Sequence, residues 1–313
     1  MGVKVKIICD SISPVGVRLT TFEVEYPRII HSEVMTHRAL SRNAASSRAI
    51  PFDKILEQLT GIPSRFGGNQ SGMQDNGEHT SLVNLENYYR ARWGELGEVS
   101  AKDAWEEAKD AAIIFSKAFS SAGYHKQISN RLTEPFQTIK VLISATEWDN
   151  FFWLRCDEAA DPTLKELADK MLLEYNSNEP TLLTSGDWHL PYITKEEQSE
   201  FSPEDVIIVS CARCAAVSYR NIDYSLEKCK EVYNRLVQTD KLHSSALEHC
   251  ATPIQPEKYD DCQGVSTNSW MYPETWEKGI SHVDRKKQLW SGNFKGFIQH
   301  RKTIKSENYT KEK

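Results

Sequence analysis

A polar stretch at residues 36–48 constrains the fold of this chain more than any other segment. Its thirteen residues include three Arg, one His, one Asn and three Ser, with almost no bulky apolar side chain. A segment with so little to bury is not expected to form part of the hydrophobic core. Guanidinium groups bind phosphate in a bidentate manner, and hydroxyl and backbone N–H groups add further donors. Composition alone allows a basic surface loop, but the spacing of the polar residues favours an anion-binding segment.

This spacing resembles the signature of the flavin-dependent thymidylate synthases, the ThyX family, which is written Arg-His-Arg-x-x-Ser-x-Asn-x-x-Ser-x-Arg. Thr36 replaces the leading Arg, and the other six fixed positions are in register, namely His37, Arg38, Ser41, Asn43, Ser46 and Arg48. The resemblance implies a ThyX-like α+β fold, a mixed sheet with packed helices. It also implies C5 methylation of dUMP to dTMP, with FAD as the cofactor and methylenetetrahydrofolate and NADPH as cosubstrates.

Two later blocks are similar to further motifs of the family. Residues 130–136 resemble an Arg-x-x-x-Pro block in which the Arg, here Arg131, binds the nucleotide; taken alone, Arg131 would be interpreted as a surface ion-pair residue. Residues 147–155 resemble the next block, which assigns Asn150 to the flavin and Arg155 to the pyrimidine. The resemblance makes Arg155 the catalytic residue, because a fixed guanidinium stabilises negative charge that develops on the base when C5 attacks.

The order of the blocks differs from that of ordinary family members. Residues 212–219 and 243–249 resemble blocks that precede the signature in those proteins, but here they follow it. The resemblance therefore implies a circular permutation, which is tolerated where the original termini lie close together at the surface. We predict that residues 1–175 form the signature-bearing part of one domain, 176–205 a connector, and 206–313 the part that completes the same domain.

The resemblance assigns a nucleotide-binding set and a cofactor-binding set. The nucleotide-binding residues are Glu33, Ser46, Ser47, Arg48, Arg131 and Arg155. The cofactor-binding residues are Thr36, His37, Arg38, Asn150, His243 and Ser245. Glu33 stands where the family commonly has Gln, and a carboxylate suits a hydrogen bond from an amino group, so a cytosine nucleotide remains an alternative substrate. Gln299 or Arg301 is expected to enter the nucleotide pocket and to offset the Arg missing at position 36.

Bulk composition limits the protein class. With 313 residues, 39% hydrophobic and 26% charged, the chain has an ordinary globular composition. A formal charge of −6 argues against a nucleic acid polymer as partner. The absence of a long apolar run predicts no membrane segment and a cytoplasmic protein. Seven Cys without a secretory signal predict reduced thiols.

Local patterns predict the principal secondary structure. Period-two alternation predicts a strand pair over 4–8 and 17–24. Helices are predicted to begin after Ser100, Asp161 and Ser225, each with its apolar face in the core.

Three other functions remain as alternatives to the thymidylate synthase hypothesis. The first is different C5 chemistry in the same fold, either hydroxymethylation or a reaction on dCMP. The second is a nucleotide-binding homologue that has lost catalysis. The third is a zinc enzyme built on Cys211 and Cys214, although ordinary buried thiols are favoured there and no metal is expected. The resemblance also implies a homo-oligomer, a tetramer, with a pyrimidine deoxynucleotide and a folate as partners.

Overall fold

A computed structural model describes residues 2–47, 49–69, 77–85, 97–184, 186–218, 225–238, 242, 245–255, 273–305 and 307. In these ranges the strands are β1 (Lys4–Ile12), β2 (Arg18–Pro27), β3 (Ser41–Ala44), β4 (Val83–Asn84), β5 (Glu98–Val99), β6 (Thr138–Ala145), β7 (Thr181–Leu182), β8 (Ala251–Pro253), β9 (His282–Val283), β10 (Leu289–Ser291), β11 (Phe294–Lys295) and β12 (Phe297–Gln299). The α-helices are α1 (His31–Val34), α2 (Phe52–Leu56), α3 (Ala101–Ser121), α4 (Lys126–Ser129), α5 (Asp149–Arg155), α6 (Pro162–Ser177), α7 (Lys195–Glu200), α8 (Pro203–Ala215), α9 (Leu226–Val237) and α10 (His300–Thr303).

A five-stranded mixed sheet organises the chain, in the order β3-β6-β2-β1-β7. The pairs β1–β2, β2–β6 and β3–β6 are antiparallel, and β7 runs parallel to β1. The predicted N-terminal strand pair is therefore confirmed, as is a mixed sheet with packed helices. Strand β6 is rich in Ile and Val and almost wholly buried, as expected of a strand that is covered on both faces.

Helix α6 packs against this sheet, and its apolar face lies in the core as predicted. Asp161 caps it by accepting hydrogen bonds from the backbone N–H groups of Thr163 and Leu164, and Pro162 occupies the first turn. The buried face consists of Leu164, Leu167, Ala168 and Met171. The predicted helix after Ser225 is also present as α9, with Ser225 as its N-cap.

The core prediction for α3 was wrong in part. The helix begins after Ser100, which accepts a hydrogen bond from the Asp103 backbone N–H, as predicted. Trp105 and Ala112 pack against the core, but Phe115 is 63% exposed and Phe119 36%. The apolar stripe is longer than the buried surface available to it, because Trp105, Ala112 and Ile113 pack against the core whereas Phe115 faces solvent.

The polar signature also differs from its prediction, because part of it belongs to the sheet. Among the described residues, strand β3 lies at the edge of the sheet and pairs with β6 alone, and Ser41 is buried. An edge strand tolerates this composition because its side chains find hydrogen-bond partners elsewhere: Ser41 donates to Asn293 Oδ1, and Asn43 donates to the Cys214 carbonyl. Composition alone did not reveal these long-range partners.

The C-terminal residues return to the start of β2. Strand β12 pairs with β8, and Phe294, Phe297 and Ile298 share a buried cluster with Val17 and Leu19. Gly296 has a φ of +67°, and a Cβ there would lie 2.9 Å from Val17 Cγ2. The C-terminal segment therefore packs closely against the start of β2.

Residues from both proposed halves meet in one hydrophobic cluster. Cys214, Val217 and Ala246 pack with the residues of the main sheet. The proposed connector, 176–205, includes β7, α7 and the buried Leu190. The domain boundaries themselves stay a prediction. No helix in the described part of the chain is both long and apolar enough to span a bilayer.

Helix α6 offers a matched test of the core. Leu164 is fully buried and Leu173 is 68% exposed on the same helix. We expect Leu164→Ala to lower the free energy of unfolding by about 2–5 kcal/mol, because it leaves a cavity. Leu173→Ala should change it by less than about 0.5 kcal/mol. Urea unfolding of both variants measures the difference, and equal losses would contradict this packing.

Candidate active site

An imidazole–guanidinium pair forms the centre of the candidate site. Arg155, the last residue of α5, donates from Nε to Nε2 of His37 over 2.8 Å. His37 must therefore be neutral, with its proton on Nδ1. The ring of Phe151 meets His37 edge-on, with 5.0 Å between the centroids. Burial, followed by the charges of Arg155 and Arg42, lowers the pKa of His37 to about 4, so the neutral form dominates near pH 7.

A cavity of about 300 Å³ opens beside this pair. It is lined by Thr36, His37, Arg38, Ala39, Leu40, Glu147, Asn150, Phe151, Leu154 and Arg155. Four of the predicted cofactor residues therefore share one wall with the predicted catalytic residue. Arg38 and Asn150 are exposed, and neither side chain makes a hydrogen bond or an ion pair within the described ranges. The cavity thus presents guanidinium and amide donors that a ligand can use.

Two contacts that the sequence did not predict shape this cavity. Arg42 Nη1 donates to the carbonyl oxygens of Val34 and His37, each over 3.0 Å, and so closes the turn that carries His37. Glu147 forms an ion pair with Lys295 from β11. Arg42 occupies an unspecified position of the signature. No local sequence pattern identifies Lys295 as the distant ion-pair partner of Glu147.

Glu33 lies one turn before His37 and is half-buried. Burial and the negative charge of Asp161 raise the pKa of Glu33, whereas Arg155 acts in the opposite direction. The carboxyl group is therefore within electrostatic reach of the Arg155 guanidinium. Thr36 is exposed, and its hydroxyl donates to the Glu33 carbonyl over 2.7 Å, which caps the end of α1.

The predicted phosphate ligands form a separate group around Glu134. Ser47 Oγ donates to Glu134 Oε1 over 3.0 Å, Arg28 Nη2 lies 3.0 Å from the same oxygen, and Arg131 Nε lies 4.0 Å from it. Ser46 is exposed, and Arg48 lies outside the described residues. The structure thus brings Ser47 and Arg131 together around the Glu134 carboxylate, to which Ser47 donates its hydrogen bond, and neither residue lines the cavity.

The signature strand meets both later blocks through one side chain. Asn43 Nδ2 donates to the Cys214 carbonyl over 2.6 Å, and Asn43 Oδ1 accepts from Ser245 Oγ over 3.1 Å. Ser245 therefore contacts the signature rather than the cavity, and His243 lies outside the described residues. These contacts show that the signature and the later blocks are adjacent in space. They do not show how the order of the blocks arose, so the circular permutation stays a prediction.

The C-terminal segment also reaches the signature. Gln299 is buried, and its Nε2 donates to Ser41 Oγ over 3.2 Å and to Asn293 Oδ1 over 2.9 Å. Arg301 instead forms ion pairs with Glu248 and Glu307. Of the two residues expected in the nucleotide pocket, Gln299 thus approaches the signature, while Arg301 is engaged with carboxylates.

The cysteines proposed for zinc lie in a buried cluster. Cys211 Sγ is 3.5 Å from Cys250 Sγ, and Cys214 is also fully buried. Burial raises the pKa of the Cys211 and Cys214 thiols. Among the described residues, no group of three or more His, Cys, Asp or Glu side chains is arranged to hold a metal ion.

Comparison with known proteins yields distant structural likenesses. No family model matches the chain, and no curated protein matches its sequence. A UMP/dUMP methylase, PolB from Streptomyces cacaoi, bound with 5-Br UMP, is 13% identical; the match covers 55% of this chain and 88% of that one, with a TM-score of 0.40. For the same enzyme with 5-Br dUMP the identity is 12%, the coverage 55% and 89%, and the TM-score 0.40.

A third structure is thymidylate synthase ThyX from Helicobacter pylori with FAD and dUMP. It is 16% identical, and the match covers 50% of this chain and 67% of that one, with a TM-score of 0.33. At these TM-scores the likenesses establish neither a shared fold nor a shared reaction.

The His37–Arg155 pair predicts a specific titration. We expect Arg155→Met to raise the pKa of His37 from about 4 toward the ordinary 6.5, because it removes a neighbouring positive charge. Arg38→Met is the matched control, since Arg38 is exposed and is not among the charges that shift the pKa of His37. NMR titration of the imidazole C–H signals measures both variants. An unchanged pKa in Arg155→Met would contradict the pairing.

Proposed function

We propose that this protein transfers a one-carbon unit from methylenetetrahydrofolate to C5 of a pyrimidine deoxynucleotide, with FAD as cofactor and NADPH as reductant. The leading substrate is dUMP, which would yield dTMP. One observation carries the proposal: His37, Arg38, Asn150 and Arg155, which the signature and a later motif select independently, line a single cavity. A cytoplasmic homotetramer remains part of the proposal.

The residues at the cavity are chemically suited to a flavin. The cavity volume of about 300 Å³ lies at the lower end of the range for ligand pockets. This volume suits a ring system rather than a whole dinucleotide. Arg38 and Asn150 offer donors for flavin carbonyl groups or phosphate oxygens. When bound, the flavin would supply the hydride for reduction of the transferred carbon.

Arg155 is positioned to act on the pyrimidine. Its Nε is fixed by His37, while both Nη groups make no hydrogen bond to any described residue and can face a ligand. C5 becomes nucleophilic as negative charge develops on the base, and a preoriented guanidinium stabilises that charge. Because His37 is neutral, it orients Arg155 without adding a competing positive charge. Arg42 holds the turn that carries His37.

The position of the Glu33 carboxyl group near Arg155 supports a second candidate, the same chemistry on dCMP. The Glu33 carboxyl group lies within electrostatic reach of Arg155. The C4 side of a pyrimidine bound at Arg155 would face this carboxyl group. A carboxylate accepts a hydrogen bond from the 4-amino group of cytosine but repels the O4 atom of uracil. A protonated carboxyl group could donate to O4, and the raised pKa of Glu33 makes that form more accessible than in water.

Product analysis tests the proposed reaction. Protein supplied with FAD, NADPH, methylenetetrahydrofolate and dUMP should convert dUMP to a product heavier by one methylene group, detected by mass spectrometry. We expect Arg155→Met to lower kcat by about 10²-fold. Arg235→Met, at a guanidinium that is 75% exposed on α9, should not change it. Unchanged dUMP with bound flavin would contradict the thymidylate synthase proposal, and failure to take up FAD would favour a non-catalytic homologue.

The substrate preference can be tested at Glu33. If dCMP is the substrate, Glu33→Gln should lower the ratio of kcat/KM for dCMP to that for dUMP by about tenfold or more, because an amide offers a donor to O4. Glu57→Gln, at an exposed carboxylate of the α2 end, is the control. Turnover of dUMP alone by the wild-type protein would exclude the dCMP candidate.

A further inference from the structure

A turn near the C-terminal end of the described chain contacts the lining of the candidate cavity at two places. This C-terminal turn, residues 292–295, leads from β10 into β11. Asn293 Nδ2 donates to the Ala39 carbonyl over 2.9 Å. Its Oδ1 accepts hydrogen bonds from Ser41 Oγ over 3.0 Å and from Gln299 Nε2 over 2.9 Å. Because Ala39 lines the cavity, the turn is fixed to the signature side of it.

The second contact is made by Lys295, at the part of the lining that leads into α5. The Lys295 backbone N–H donates to Thr146 Oγ1 over 2.9 Å, and its ammonium group forms an ion pair with Glu147. Glu147 lines the cavity, and 38% of its side chain is exposed, against 21% for Lys295. Since the backbone of Lys295 is already fixed, this pair loses less conformational entropy than an ordinary surface pair.

The charges of the lining favour an anionic ligand. Of the described residues that line the cavity, Arg38 and Arg155 are positive and Glu147 carries the one carboxylate. His37 is neutral near pH 7, because its pKa is about 4. Lys295 balances the charge of Glu147 from outside the lining. A ligand in the cavity therefore meets the charge of two guanidinium groups rather than one.

Without Lys295, the Glu147 carboxylate would act against an anionic ligand in two ways. The first is repulsion, which water screens only in part at a site that is partly enclosed. The second is competition, because a free carboxylate is itself a ligand for the exposed Arg38 guanidinium. The ion pair with Lys295 prevents both effects.

We propose that Lys295 is a positioning residue that determines the charge specificity of the cavity. Its ammonium group holds the Glu147 carboxylate and so keeps Arg38 and Arg155 available to a ligand that carries a phosphate group. Asn293 supports this role, because its amide fixes the turn that carries Lys295. The inference deepens the proposed function and rests on it for the identity of the ligand, FAD.

A double-mutant cycle at Lys295 and Glu147 tests this role. Lys295→Met should weaken FAD binding by about tenfold, because it leaves Glu147 unpaired beside the guanidiniums. Glu147→Gln should bind FAD at least as tightly as the wild type, and adding it to Lys295→Met should restore the affinity to within about threefold. Lys295→Arg, which keeps the charge, and Lys286→Met, at an exposed Lys between β9 and β10, are the controls with wild-type affinity. Fluorescence titration of FAD measures all five variants.

A probe that needs no flavin separates this inference from the proposed reaction. Inorganic pyrophosphate, titrated into protein labelled with ¹⁵N-arginine, should shift the NMR signal of the Arg155 Nε–H, which His37 holds in place. Its affinity should follow the same order across the variants, and the differences should shrink at high salt. If the protein takes up no FAD but pyrophosphate follows this order, the flavin proposal fails and the role of Lys295 stands.

Three results would overturn the role of Lys295. One is wild-type affinity of Lys295→Met for both probes. Another is a double variant that binds no better than Lys295→Met, since the loss would then come from a loosened turn and not from a freed carboxylate. The third is a wild-type protein that binds neither probe, which would also overturn the flavin proposal. Lys295→Gln removes the same charge and replaces Lys295→Met if that variant does not fold.

Discussion

The side-chain amide of Asn43 makes the contact on which the arrangement around the signature depends. It donates to the Cys214 carbonyl and accepts from Ser245, so one residue of an edge strand joins two segments that lie more than 170 residues further along the chain. An edge strand has unpaired backbone groups on one side, and here the Asn43 side chain connects the strand to the later blocks. The signature is thereby held between β6 and the C-terminal half.

The charges around His37 follow from the same placement. Strand β3 presents Arg42 to the turn after α1, and α5 presents Arg155 to the imidazole. Burial, followed by the charges of these two guanidiniums, lowers the pKa of His37 and keeps the imidazole neutral near pH 7, which lets its Nε2 accept the Arg155 hydrogen bond. Arg155 also lines the cavity. A cation oriented in this way, with Glu33 nearby, is suited to a base on which negative charge develops.

Local rules in the sequence predicted the helices well. Ser100, Asp161 and Ser225 cap α3, α6 and α9 as expected, because a cap acts within its own first turn. The burial of Phe115 was wrong, since the periodicity of a helix identifies its apolar face but not how much of that face finds a partner. The resemblance to a known signature grouped the residues of the cavity. It did not predict that Glu134 would engage Ser47, because an ion-pair partner in space leaves no local pattern.

The central claim is that the cavity beside His37 and Arg155 binds the flavin and the pyrimidine. A crystal structure of the protein with FAD and dUMP tests it most directly. We expect the flavin ring against Arg38 and Asn150, and the pyrimidine within hydrogen-bond distance of the Arg155 Nη groups. A flavin bound elsewhere, or a pyrimidine without contact to Arg155, would contradict the claim.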